Sequence, residues 1–306
     1  MTTERLPSWR PGAVKDAILG YLDGIGDVPV EDRVAYFDND GTMWCERPAY
    51  VQYDFFVDVL RRRAADEPAL ARRPELAAVL DDDTAAIGEL GLAKIAGALA
   101  ALCDGLTPAE FAAVVDDFAA RYRHPVLGVP IASLVYRPLL ELVAELRAHD
   151  FTVGIVTGGG TEFVRRLSPR LYGVPPERVV GTMIGYELAR DADDRPVLRR
   201  TTASLGTPNE GAAKISHIQS QTGRAPIVAA GNSGGDKEML EWARASPHGG
   251  LAILVDHDDA DREFAYRGTA ATFQESEPIT AVAERLGWTT VGMARDWERV
   301  FPSIRV

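Results

Sequence analysis

Four short apolar runs in this chain each stop abruptly against a polar segment, and few folds produce that repeat. Val34-Ala35-Tyr36-Phe37 ends in Asp38-Asn39-Asp40-Gly41, and Phe151 to Val156 ends in Thr157-Gly158-Gly159-Gly160. Pro226 to Ala230 ends in Gly231-Asn232-Ser233-Gly234-Gly235-Asp236, and Leu251 to Val255 ends in Asp256-His257-Asp258-Asp259. Each reads as a strand delivering polar residues at its carboxyl end. Between them, helical spacing runs over Pro138 to His149, Thr161 to Leu171, Glu210 to Gln221 and Lys237 to Arg244. Strands alternating with helices predict an α/β fold with a doubly wound, Rossmann-like parallel sheet. In such a sheet ligands sit beyond the carboxyl ends of the strands, where these four loops converge.

Residues 47–133 break the rhythm, with apolar positions at helical spacing in Tyr53 to Arg63, Glu75 to Leu80, Ala85 to Leu102 and Pro108 to Tyr122. The expected organisation is a core of residues 1–46 and 134–306 with an all-helical insertion, 47–133, following the first strand and standing over the loops as a lid. Val179 to Arg200 reads as a hairpin around Asp191 to Asp194, extending the core sheet. With 306 residues and 46% hydrophobic content the chain has material for a sizeable core. Its 45 acidic against 33 basic residues, net −12, argue against a surface for nucleic acid or anionic lipid, so the expected partner is a small molecule. The N-terminal residues carry no signal-like apolar run and no later stretch has the length of a bilayer span, which predicts a cytoplasmic protein. Cys45 and Cys103 have no disulfide or zinc pattern around them and read as packed thiols.

Asp38 and Asp40, one residue apart at a strand end and followed by Gly41 and Thr42, form a carboxylate cluster that needs a counter-ion. Taken alone, Asp-x-Asp-Gly is equally an acidic turn. In company it has more meaning. DNDGT after the first strand, the threonine of IVTGGG after the second, a downstream Lys214 and GNSGGD after a third resemble, in order, the motifs of the haloacid dehalogenase superfamily. The helical insertion resembles that family's cap domain, in the phosphoserine phosphatase-like branch.

The resemblance implies a Mg²⁺-dependent phosphomonoesterase acting on a small phosphorylated metabolite. Asp38 would attack phosphorus and become an aspartyl phosphate, and Asp40 would serve as acid and then base. Asp38, the backbone carbonyl of Asp40 and Asn232 are the implied protein ligands of Mg²⁺, with Asp236 orienting a metal-bound water. Thr157, with the amides of Gly158 and Gly159, would hold phosphate oxygens at a helix N-terminus, and Gly41 and Thr42 would lie beside them. Lys214 would supply positive charge; alone, it reads equally as a solvated helix lysine. Family dehalogenases lack an acid at the position of Asp40, so ester chemistry is implied over C–halogen cleavage. A phosphomutase or phosphotransferase, or an impaired phosphate-ester-binding protein, are the alternatives.

The pattern is broken in places. Related phosphatases begin the last motif Gly-Asp and carry Asn before its final Asp, where this chain has Asn232 and Gly235. A neutral amide at 232 predicts weaker Mg²⁺ binding than a carboxylate would give. Glu46 and Arg47 fall, one residue out of register, near the place of a glutamate that reads the substrate amine in phosphoserine phosphatases. Tyr50, Tyr53 and His124 read as core, and Asp256 to Asp259 as a solvated loop.

Overall fold

Every residue of the first apolar run is buried, because the strand it forms has a neighbour on each edge. The computed structural model describes residues 4–302. Its strands are β1 (Val34–Asp38), β2 (Thr152–Gly160), β3 (Val179–Arg190), β4 (Pro196–Leu205), β5 (Val228–Gly231), β6 (Leu251–Asp258), β7 (Ala265–Tyr266) and β8 (Thr289–Gly292). β1 pairs in parallel with β2, Asp38 opposite Val156, and on its other edge with β5, Phe37 opposite Ala230. β6 continues beside β5 and carries β8 in parallel and β7 antiparallel. The chain therefore leaves β1 for one side, through β2 and β3, and later returns to the other side at β5. This places a topological switch point at the carboxyl end of β1, where α/β sheets open a crevice.

The chain divides into two compact units: residues up to Arg47 with Arg123–Gly181 and from Pro208 on, and Pro48–Tyr122 with Thr182–Thr207. In the first, Val34, Tyr36, Val156, Ala229 and Leu254 pack with Ile218, Met239, Leu240 and Val282 from the covering helices. Helices Arg137–Ala148, Thr161–Tyr172, Ala212–Thr222 and Lys237–Arg244 lie where helical spacing predicts them. β2 runs on through all three glycines that were expected to end it.

The second unit is built on helices Val51–Asp66, Pro74–Leu80, Thr84–Leu90, Leu92–Ala100 and Pro108–Arg121. The single helix expected over Ala85 to Leu102 is broken at Gly91, which takes φ 84° in the left-handed region that glycine alone enters without penalty. Phe55 packs edge-on against Phe111 and Phe118, with ring centroids 5.8 and 5.4 Å apart. Thr107 and Glu110 form a reciprocal cap on the last helix.

The hairpin forms around the expected turn, with Leu188 opposite Leu198 and Asp191 Oδ1 accepting the amides of Asp193 and Arg195. As expected it extends the sheet, β4 lying beyond β3 at the edge, but its further contacts group it with the inserted helices. The Arg200 amide donates to the Leu106 carbonyl, the Gly105 amide donates to the Arg200 carbonyl, and the Arg200 guanidinium lies 4.2 Å from the Phe111 ring centroid. These bonds attach 182–207 to the helices, so the boundaries 134–306 and 47–133 are corrected on this point. Among the described residues no single helix is long and apolar enough to cross a membrane.

Candidate active site

The segment after β1 winds around one carbonyl. Asn39 O accepts the amides of Thr42, Met43 and Trp44 at 3.4, 2.8 and 3.3 Å, and Gly41 takes φ 73° to allow the turn. Asp40 is fixed by three donors: Trp44 Nε1 at 2.8 Å on one oxygen, and Asn39 Nδ2 at 3.3 Å and Thr157 Oγ1 at 3.4 Å on the other. Burial raises the Asp40 pKa, opposed chiefly by the Trp44 hydrogen bond. The result is a carboxyl inclined to hold a proton and aimed by its neighbours.

Lys214 is only 3% exposed, so the solvated-helix reading is excluded. Its Nζ donates to Asp38 Oδ1 at 2.6 Å and to Asp236 Oδ1 at 2.5 Å. Burial pulls the ammonium's pKa down, but Asp236 and Asp38 outweigh it and hold it above its ordinary value. Asp38 is pushed well above the usual carboxylate range, first by burial and then by Asp236, against the pull of Lys214. Asp38, Asp40 and Asp236 thus share one buried ammonium, and the cluster carries surplus negative charge.

Asp236 closes its own loop. Its Oδ2 accepts from the amides of Asn232 and Ser233 at 3.0 Å each and from Ser233 Oγ at 3.2 Å. With Oδ1 on Lys214, both oxygens are engaged and Asp236 braces this loop. Asn232 turns its Nδ2 to Glu46 Oε1, 3.1 Å away, and its Oδ1 lies 3.4 Å from Thr42 Oγ1. Glu46 is buried, also bonds the Tyr266 hydroxyl, and has its pKa raised by burial. It is occupied within the core and unavailable to a substrate amine.

No group of three or more His, Cys, Asp or Glu among the described residues is arranged as a metal cage. The implied Mg²⁺ set is of another kind: one carboxylate, one backbone carbonyl, one amide oxygen and waters, which suits an ion that keeps part of its hydration shell. Asp38 Oδ2 receives no hydrogen bond from any described residue, and surplus charge surrounds it. The donor set and the charge both fit a hard divalent cation.

Other expected residues fall as follows. Thr157 sits near the end of β2, buried, with the Gly159 amide donating to its Oγ1 at 3.0 Å, so that amide is already used. Gly158 is exposed beside it. Arg47 lies over the Tyr266 ring, 4.2 Å from its centroid. His124 is buried and bonds the Arg47 carbonyl at 2.6 Å, in agreement with a packing role. The solvated loop expected at 256–259 is instead largely strand: β6 extends to Asp258, and His257 and Asp259 are buried.

His257 was missed as a supporting residue. Its Nε2 lies 2.8 Å from the Gly41 carbonyl and its Nδ1 3.2 Å from Glu263, under the loop that follows β1. Asn209, holding the Thr157 carbonyl at 2.8 Å, and Trp44 were also missed, since neither belongs to a motif and their roles depend on contacts distant in sequence. Trp44 left one usable signal, a rare large ring four residues after Asp40.

Comparison with known proteins gives a match of residues 35–241 to the family described as haloacid dehalogenase-like hydrolase. No curated protein sequence matches significantly. Among solved structures, a Bordetella pertussis Tohama I protein of unknown function superposes with TM-score 0.54 at 19% identity, covering 85% of this chain and 97% of that one. A functionally unknown protein from Anaerococcus prevotii gives 0.50 at 13% identity over 79% and 85%. A probable phosphoserine phosphatase from Vibrio cholerae gives 0.42 at 17% identity over 90% and 73%. At these identities the first two superpositions speak for the fold alone.

Proposed function

The chain belongs to the haloacid dehalogenase-like hydrolases, and from that premise we propose that it is a Mg²⁺-dependent phosphomonoesterase for a small phosphorylated metabolite. The observation that carries the reading is the pair at the end of β1. One buried carboxylate, Asp38, touches an ammonium, and a second, Asp40, is held by Trp44, Asn39 and Thr157. Two carboxyls in such different surroundings suit two roles, nucleophile and acid.

In this reading an Asp38 oxygen attacks phosphorus, the P–O bond to the leaving group breaks, and the leaving oxygen takes the proton of Asp40. A water then attacks phosphorus, its proton passes to the Asp40 carboxylate, and the bond to Asp38 breaks to release phosphate. Lys214 offsets charge on Asp38 and on the incoming phosphate, and Thr157 is placed to hold a phosphate oxygen. Asp38, the Asp40 carbonyl and Asn232 would hold Mg²⁺, which when bound supplies neutralisation of the phosphate dianion facing a carboxylate. The second unit carries the helical insertion that resembles the family's cap domain.

Inorganic phosphate release from a panel of phosphorylated metabolites, with Mg²⁺ or with EDTA, tests this for the wild type beside Asp38→Asn. Mg²⁺-dependent release that is lost in the variant is expected. Transfer to an added alcohol without release would instead assign a phosphotransferase, and no turnover of any ester would overturn the reading.

A further inference from the structure

Asn232 stands where related phosphatases carry a carboxylate, and the sequence alone predicts a weakened metal site. The structure places a carboxylate directly behind it. Glu46 Oε1 lies 3.1 Å from Asn232 Nδ2, and both side chains are buried. A carboxylate only accepts, so the contact dictates which end of the amide faces it. With Nδ2 held by Glu46, Oδ1 is the end left for a cation, its only hydrogen-bond neighbour among the described residues the Thr42 hydroxyl at 3.4 Å.

Space is reserved for this contact. Gly41 packs so tightly that a Cβ there would come 2.0 Å from Asn232 Nδ2 and 2.8 Å from Glu46 Oε1. From the other side the Asn232 backbone lies against Gly268, where a Cβ would meet the Asn232 carbonyl at 1.8 Å. Asn232 can neither swing away nor reverse without breaking a buried contact.

We propose that Glu46 is a positioning residue of the metal site: it fixes the Asn232 amide with Oδ1 toward the cation. This rests on the Mg²⁺-phosphatase reading above. It also reverses the expectation for Asn232→Asp. An aspartate at 232 has no N–H to donate to Glu46 Oε1, so the contact that sets this side chain is lost. The amide and the carboxylate form a matched pair. Exchanging both restores the match, because the amide introduced by Glu46→Gln can donate to the carboxylate introduced by Asn232→Asp.

The test is calorimetric titration of Mg²⁺ into metal-free full-length protein, for the wild type, Glu46→Ala, Glu46→Gln, Asn232→Asp and the double variant Glu46→Gln/Asn232→Asp. Melting curves in EDTA establish that each is folded. Partners behind a metal ligand typically contribute 10–100-fold to affinity. Glu46→Gln is expected to weaken Mg²⁺ binding by about 10-fold and Glu46→Ala by up to about 100-fold. Asn232→Asp alone is expected to gain nothing at pH 7, and the double variant to bind at least as tightly as the wild type. The effect of Glu46→Gln thus changes sign with the residue at 232, which loss of packing alone would not produce. Wild-type binding with all Glu46 variants within twofold, or tighter binding by Asn232→Asp that Glu46→Gln leaves unaltered, would overturn this inference and leave the phosphatase reading intact. No Mg²⁺ binding by the folded wild type would overturn both.

Discussion

Asp40 is held by three donors, and this separates it from Asp38, whose hydrogen bond is to Lys214 on Oδ1. Asp40→Asn keeps the shape but cannot carry a proton to the leaving oxygen. Steady-state assays are expected to show turnover lower by ~10²–10⁴-fold, with the larger loss for esters of poorly acidic alcohols. Asp38 makes a different prediction, about stability. Its folded-state pKa lies well above the unfolded value of 3.8, so the folded form binds the proton more tightly. That contribution is fully present below the unfolded value and is lost as pH rises through the folded one. In EDTA, Asp38→Asn is therefore expected to melt higher than the wild type at pH 7, and the difference to shrink as pH falls toward 4. A wild type that melts above the variant at pH 7 would contradict the assignment.

The loop joining β1 to Cys45 orients the site more than β1 itself does. Its turn needs a left-handed residue at 41, and the same residue must leave room for Asn232 and Glu46. Gly41→Ala meets both obstacles and is expected to lower stability by more than about 1 kcal/mol in urea unfolding, with Mg²⁺ affinity falling as well. Gly88→Ala, a glycine with open space around it in a helix, serves as the control and is expected to lower neither. The element-level surprises share a cause. β6 continues into an acidic segment because β7 supplies partners for His257 and Asp258, and β2 continues through its glycines with β3 as the next strand of the sheet. Local composition argued for loops at both places, and pairing with distant chain overrode it.

At the scale of the molecule, the hairpin Thr182–Thr207 is a covalent extension of core strand β3 but joins the unit of inserted helices. Arg200 is the fastening, through two backbone hydrogen bonds and its guanidinium on Phe111. Arg200→Ala removes the ring contact, worth about 1–2 kcal/mol when desolvated. Hydrogen exchange is expected to quicken in residues 105–121 and 196–205 and to remain unchanged in β1. Equal quickening in both units would show that they unfold together. The strand–helix alternation, the switch-point placement of Asp38 and the family carried by the ordered motifs were all legible in the chain, because strand burial, helical periodicity and short motifs are local properties. The hairpin's allegiance, the burial of Lys214 between two carboxylates, the bracing by Asp236 and the turning of Glu46 toward Asn232 were not. Each depends on which groups from distant segments share a dry space, and there hydrogen-bond satisfaction and charge balance decide where a side chain points. Spacing along the chain determined which residues reach the end of β1; only tertiary packing decided which of them face the reacting atoms and which hold those residues in place.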